Sequence, residues 1–169
     1  MQKTEILSLY AYNRWANHRI LQATEHLNAS QLLAPAPVSH GSLRGTLVHI
    51  LSTEWIWRLR CQESLSPPSL LAEEQFPAFE ALQTRWREEE NAWRAFLEGL
   101  DDEALHRVVH YSNTKGVPFA TALWQILFHV VNHGTQFRSE AAVVLTSYQH
   151  SPGDLDYIAF VRENRVNQM

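Results

Sequence analysis

The chain has 169 residues, enough for one domain with a sizeable core, and 45% of them are hydrophobic against 19% charged. A net charge of −4 with no cluster of Lys and Arg argues against nucleic acid or an anionic membrane surface as a partner. Cys61 is the one cysteine, which excludes an internal disulfide and a thiolate metal cage.

No run approaches the roughly 20 apolar residues of a membrane span. The opening MQKTEILSLYAYNRWANHRI lacks the apolar centre of a signal peptide, so the chain reads as a cytoplasmic protein. Apolar and aromatic residues Ile6, Leu9, Tyr10, Tyr12, Trp15, Ile20 and Leu21 recur at helical spacing and predict a first helix over Thr4–Leu27, ending at Asn28. Pro35, Pro37 and Gly41 then exclude helix interior. Ser42 is a good N-cap for a second helix over Leu43–Glu63, which the segment SLSPPS closes.

A third helix is expected over Pro77–Leu100, with proline at its start and Gly99 near its end. Its charged run Arg85, Arg87, Glu88, Glu89 and Glu90 reads as a solvated face of surface ion pairs. The segment RVVHYSNTKGVPF predicts a short two-stranded excursion: Val108, Val109 and Tyr111, a turn at Asn113 to Gly116, then Val117 and Phe119. A fourth long helix follows over Ala120–Tyr148, and Asp154 is the expected cap of a short terminal helix, DLDYIAFVREN. The expected fold is therefore all-α: an antiparallel four-helix bundle in a single domain, with a short β-like excursion and a short C-terminal helix.

Within HVVNH, His129 and His133 stand four residues apart and leave one face of the fourth helix. On a helical wheel Leu123, Leu127, Val130, Gly134, Ala141 and Leu145 form the core stripe, with His129, His133, Gln136 and Glu140 along its flank. The second helix has a counterpart of small and polar residues, Gly45, Thr46, His49 and Thr53. Two such flanks meeting would bring His49, His129 and His133 toward one point, and imidazole suits zinc, nickel, copper or iron. A catalytic metal takes three protein ligands and leaves one position open. The same pair also suits partly buried, hydrogen-bonded histidines.

There is no HExxH, and the lone ExxH from Glu103 to His106 does not make a di-iron site. His40 and His110 read as loop or strand surface positions, and His18, His26 and His150 as solvent-facing. Cys61 reads as a small hydrophobe near a helix end. Trp15, Trp55, Trp57 and Trp124 read as core, with one or two available to roof a groove.

Four segments, YNRWANHRIL, GTLVHILSTEWIWRLR, LFHVVNHGTQFRSEAAVVL and SPGDLDYIAFVREN, resemble the DinB/YfiT-like family in sequence and in order. The resemblance covers nearly the whole chain. It implies a four-helix bundle, a homodimer, and a divalent metal such as Zn or Ni held by three histidines. One ligand matches His49, and the other two lie in a pattern similar to NHxxxHRGQ. The first of those matches His133; the second falls on Phe137, followed by Arg138, Ser139 and Glu140 where the family usually has Arg-Gly-Gln.

Phenylalanine cannot coordinate a metal, so the implied triad is degraded. His129 lies about 6 Å before His133 along the helix axis and is the candidate substitute, while Glu140 lies about 10.5 Å beyond it.

Two functions follow from the resemblance. One is a metal-dependent enzyme of transferase, isomerase or hydrolase-like type acting on a small-molecule substrate. In it His49, His133 and His129 would hold the metal, a low-molecular-weight thiol would be the cofactor, and Arg138 would pair with a carboxylate on thiol or substrate. The other is a non-catalytic, metal-free or weakly metal-binding stress-response or binding module on the same bundle.

Overall fold

A computed structural model describes residues 1–166, and helix dominates it. Helix α1 (Lys3–Thr24) ends three residues before the expected Leu27. Asn28 does not merely stop it: its side chain accepts from the Gln31 backbone N–H while the Gln31 side chain accepts from the Asn28 N–H. That reciprocal box nucleates a five-residue helix, α2 (Ala29–Leu33), which helical periodicity is too coarse to reveal.

Helix α3 (Leu43–Arg58) starts at Ser42, whose hydroxyl accepts from the Gly45 N–H at 2.9 Å, and runs on through a π-turn to Glu63. Helix α4 spans Phe79–Glu98.

Strands β1 (Val108–Ser112) and β2 (Pro118–Ala122) pair antiparallel. The Asn113 carboxamide oxygen accepts from the N–H groups of Lys115 and Val117, and Gly116 supplies the left-handed φ of +78° that the turn requires. Helix α5 (Leu123–Ser147) begins three residues later than expected, because Ala120, Thr121 and Ala122 pair with His110, Val109 and Val108. Asp154 does not cap the last helix, α6 (Tyr157–Val166). It accepts from the Asp156 N–H, and the Asp156 carbonyl takes the first helical bonds, from Ala159 and Phe160.

Two large apolar clusters lie among the four long helices. One gathers Ile20, Leu47, Leu51, Leu82, Trp86, Ala141 and Leu145; the other gathers Ile6, Trp93, Leu97, Val109, Leu123 and Leu127. Helix α5 is the central element, packed along both α3 and α1. Its buried stripe contains every residue expected there: Leu123, Leu127, Val130, Gly134, Ala141 and Leu145. Of the tryptophans, Trp86 and Trp93 are the deeply buried ones, whereas Trp15, Trp55, Trp57 and Trp124 are only half-buried.

The charged run on α4 is not wholly solvated. Glu89 falls on the same helical stripe as Leu82, Trp86, Trp93 and Leu97 and is fully buried. Arg58 of α3 meets it through two parallel bonds, Nε to Oε1 at 2.5 Å and Nη2 to Oε2 at 3.2 Å. Glu90 is also mostly covered, and its Oε2 lies 2.9 Å from His18 Nε2. Arg87 and Glu88 do face solvent. No helix among the described residues is long and apolar enough to cross a membrane.

Candidate functional site

The small, polar flank of α3 does face α5. Gly45, Thr46 and Thr53 are buried, His49 is half-buried, and His49 Nε2 lies 3.1 Å from His133 Nε2. Burial pulls both imidazoles down from the usual 6.5, His49 to about 4 and His133 to about 3; each is lowered further by its imidazole neighbours. Both are thus neutral near pH 7, and their contact is one N–H donated to one lone pair, with the two rings in opposite tautomers. Thr53 Oγ1 stands 3.5 Å from His133 Nε2.

His129 does not join them. Its ring centroid is 5.7 Å from that of His133, and it packs edge-on against Trp57 at 5.3 Å on the exposed side of α5. A third imidazole arrives from elsewhere. His40, expected at the loop surface, is half-buried and stacks on His49 with centroids 3.7 Å apart.

Three contacts put His40 there. Glu140 accepts from the Ser39 N–H at 2.8 Å and from the Ser39 hydroxyl at 2.6 Å, which ties the loop to α5. The Ala36 N–H donates to Gly41 O at 2.8 Å and closes the loop on itself. Gly45, without a side chain, lets the His40 carbonyl approach α3. Glu140 therefore does not reach back toward His133. The stacking of His40 depends on a loop path that the Ser39–Glu140 contact dictates, which local sequence does not carry.

Phe137 packs against the imidazoles of His40, His49 and His133. It is 8% exposed, and its ring centroid lies 4.4 Å from His49, 4.5 Å from His133 and 5.3 Å from His40.

Arg138, one residue on, turns the other way into the core and is 1% exposed. Its Nη1 donates to the Asn13 and Asn17 side-chain oxygens at 2.6 and 2.8 Å, and its Nη2 to Thr135 at 3.0 Å. The two asparagines in turn donate to Glu54 Oε1 at 2.7 and 2.9 Å. Gly134 makes room, since a methyl there would lie 2.6 Å from Arg138 Nη1. Cys61 is buried, and that burial raises its thiol to about 12, which leaves it unreactive at neutral pH.

The donor set decides what metal chemistry fits. Two zinc-bound imidazole nitrogens at about 2.0–2.1 Å from the ion stand about 3.3 Å apart. The His49–His133 separation of 3.1 Å fits one such edge. A three-ligand centre does not fit: among the described residues no group of three or more His, Cys, Asp or Glu side chains is arranged to hold an ion.

Fold and cluster together define a mostly helical protein with a histidine site between two of its long helices. The DinB family model matches residues 1–166, and the chain belongs to the DinB family. It is similar to Protein DinB of Bacillus subtilis (strain 168), with 26% identity over 162 residues that cover 88% of this chain and 89% of that protein.

Proposed function

We propose that this DinB-family chain is a binding module on a four-helix-bundle scaffold. It takes a small molecule at the α3–α5 histidine cluster, beside a weakened, two-imidazole metal site. The observation that carries this reading is Phe137, whose ring sits against His49 and His133 where a third ligand would be needed. An apolar ring there removes a ligand and shields the two imidazoles, so they satisfy one another by hydrogen bonding.

A second reading, a metal-dependent transferase or isomerase acting with a low-molecular-weight thiol, draws on a different observation. The His49–His133 spacing fits a tetrahedral edge, and two further imidazoles are near it: His40 stacks on His49 at 3.7 Å, and the His129 ring lies 5.7 Å from that of His133. A divalent metal held there would supply Lewis acidity and lower the pKa of a bound thiol. The homodimer is part of both readings and is checked by light scattering.

Metal analysis of tag-free protein separates the two. The binding-module reading expects substoichiometric metal as purified and weak zinc uptake. Phe137→His then raises zinc affinity by at least about tenfold, and His133→Ala abolishes the gain. One tightly held equivalent in the wild-type chain, lost in His133→Ala, would instead support the enzyme reading. If Phe137→His leaves zinc affinity unchanged, position 137 is not the missing ligand.

A further inference from the structure

A cavity of about 280 Å³ opens between α1 and α4 and shares no lining residue with the histidine cluster. Its walls are largely apolar, with Leu7, Ala11 and Leu97 beside the rings of Tyr10 and Trp93, whose centroids are 4.9 Å apart. Its polar content is unusual for such walls. Glu54, 3% exposed, and Glu90, whose side chain is 10% exposed, both line it. His18 engages Glu90 Oε2, but Glu90 Oε1 is buried with no hydrogen-bond partner, and so is the Tyr10 hydroxyl.

A buried carboxylate oxygen without a donor carries a desolvation penalty that a bound donor would remove. The two carboxylates also oppose one another: the Glu90 charge adds to burial in raising Glu54, while the Asn13 and Asn17 bonds and Arg138 only partly offset it. The lining cations, Arg14 and Arg94, are exposed residues. An anion entering this space meets like charge, and a hydrocarbon leaves the acceptor orphaned. A protonated amine answers both, and the aromatic walls favour it further through their ring faces. The volume lies at the small end for ligand pockets, which selects a short amine with a compact apolar body.

We propose that the α1–α4 cavity binds a small organic amine whose ammonium donates to Glu90 Oε1 and the Glu54 carboxyl. Its apolar body lies along Tyr10, Trp93 and Leu97. The site is independent of the metal question, because none of its residues belongs to the histidine cluster.

Calorimetric titration of the full chain with phenethylamine, and with 2-phenylethanol as the uncharged counterpart, tests it. Saturable one-to-one binding of the amine is expected, at least about tenfold tighter than the alcohol. Glu90→Gln weakens the amine by at least about tenfold and leaves the alcohol unchanged. Ala11→Phe, which adds a ring to the cavity wall and leaves both carboxylates in place in the sequence, abolishes binding of both, and His133→Ala alters neither. Thermal melts followed by circular dichroism verify that each variant is folded. Equal affinity for amine and alcohol, no saturation by about 10 mM amine, or amine binding indifferent to both Glu90→Gln and Ala11→Phe overturns the proposal.

Discussion

A methyl group added at position 45 would collide with the His40 carbonyl and come within 2.7 Å of Glu73 Oε1. The Glu73 carboxylate is the end of a flexible side chain and can retreat, although it would loosen its 3.2 Å contact with Arg44. The carbonyl is backbone and cannot move without dragging the loop that Ser39 and Glu140 tie down. Gly45→Ala is therefore expected to destabilise the fold by about 1–3 kcal/mol through overpacking, measured by urea unfolding. It should also lift His40 off His49, visible as altered imidazole proton shifts by NMR. A variant with wild-type stability and an unmoved His40 resonance would mean that the loop has slack the close approach does not suggest. Phe137 and Gly45 thus set the cluster from opposite sides: one ring closes the space between the imidazoles, and one missing side chain admits the third.

Between elements, the flanks of α3 and α5 were legible in the sequence because helical period alone puts Gly45, His49 and Thr53 on one stripe and His133 beside another. Period says nothing of how far a side chain reaches, and His129, which shares the flank with His133, lies on the exposed side against Trp57. His40 was illegible for a different reason: its place is set by a contact between positions 39 and 140, a hundred residues apart. For Glu89, position on the helix outweighs charge. Its place midway between Trp86 and Trp93 on the apolar stripe marked it as buried and in need of a partner, and Arg58 is that partner. Arg58 retains Gln62 and Glu63 when Glu89 is neutralised, so the loss is moderated. Glu89→Gln is expected to lower stability by about 3 kcal/mol. Arg58→Met, which leaves the Glu89 carboxylate with Arg85 alone at 3.2 Å, should lower it at least as much. Chemical denaturation of both single variants and the double variant checks this, since a coupling energy near zero would show that α3 and α4 are not joined through this pair.

For the whole molecule, the network from Arg138 through Asn13 and Asn17 to Glu54 links α5, α1 and α3, and it makes stability a function of pH. Burial raises the Glu54 carboxyl from 4.5 to about 7, so the folded chain holds a proton that the unfolded chain has released between those values. Its contribution is complete below about 4.5 and is lost as pH rises through about 7. His49 and His133 act in the opposite sense, because their folded values near 4 and 3 lie below 6.5. Their contribution is present above 6.5 and is lost as pH falls toward those values. The two trends overlap in mildly acid solution, so the wild-type curve alone cannot separate them. Glu54→Gln can, because the amide oxygen still accepts from Asn13 and Asn17 while the titration is gone. The stability of the wild type relative to Glu54→Gln is expected to fall between about pH 4.5 and pH 7 and to level off above that, by urea unfolding followed through tryptophan fluorescence. A difference that stays flat over that range would mean that Glu54 ionises in the fold as it does in water. In that case the buried network would rest on a full charge pair across the asparagines rather than on a proton held at Glu54.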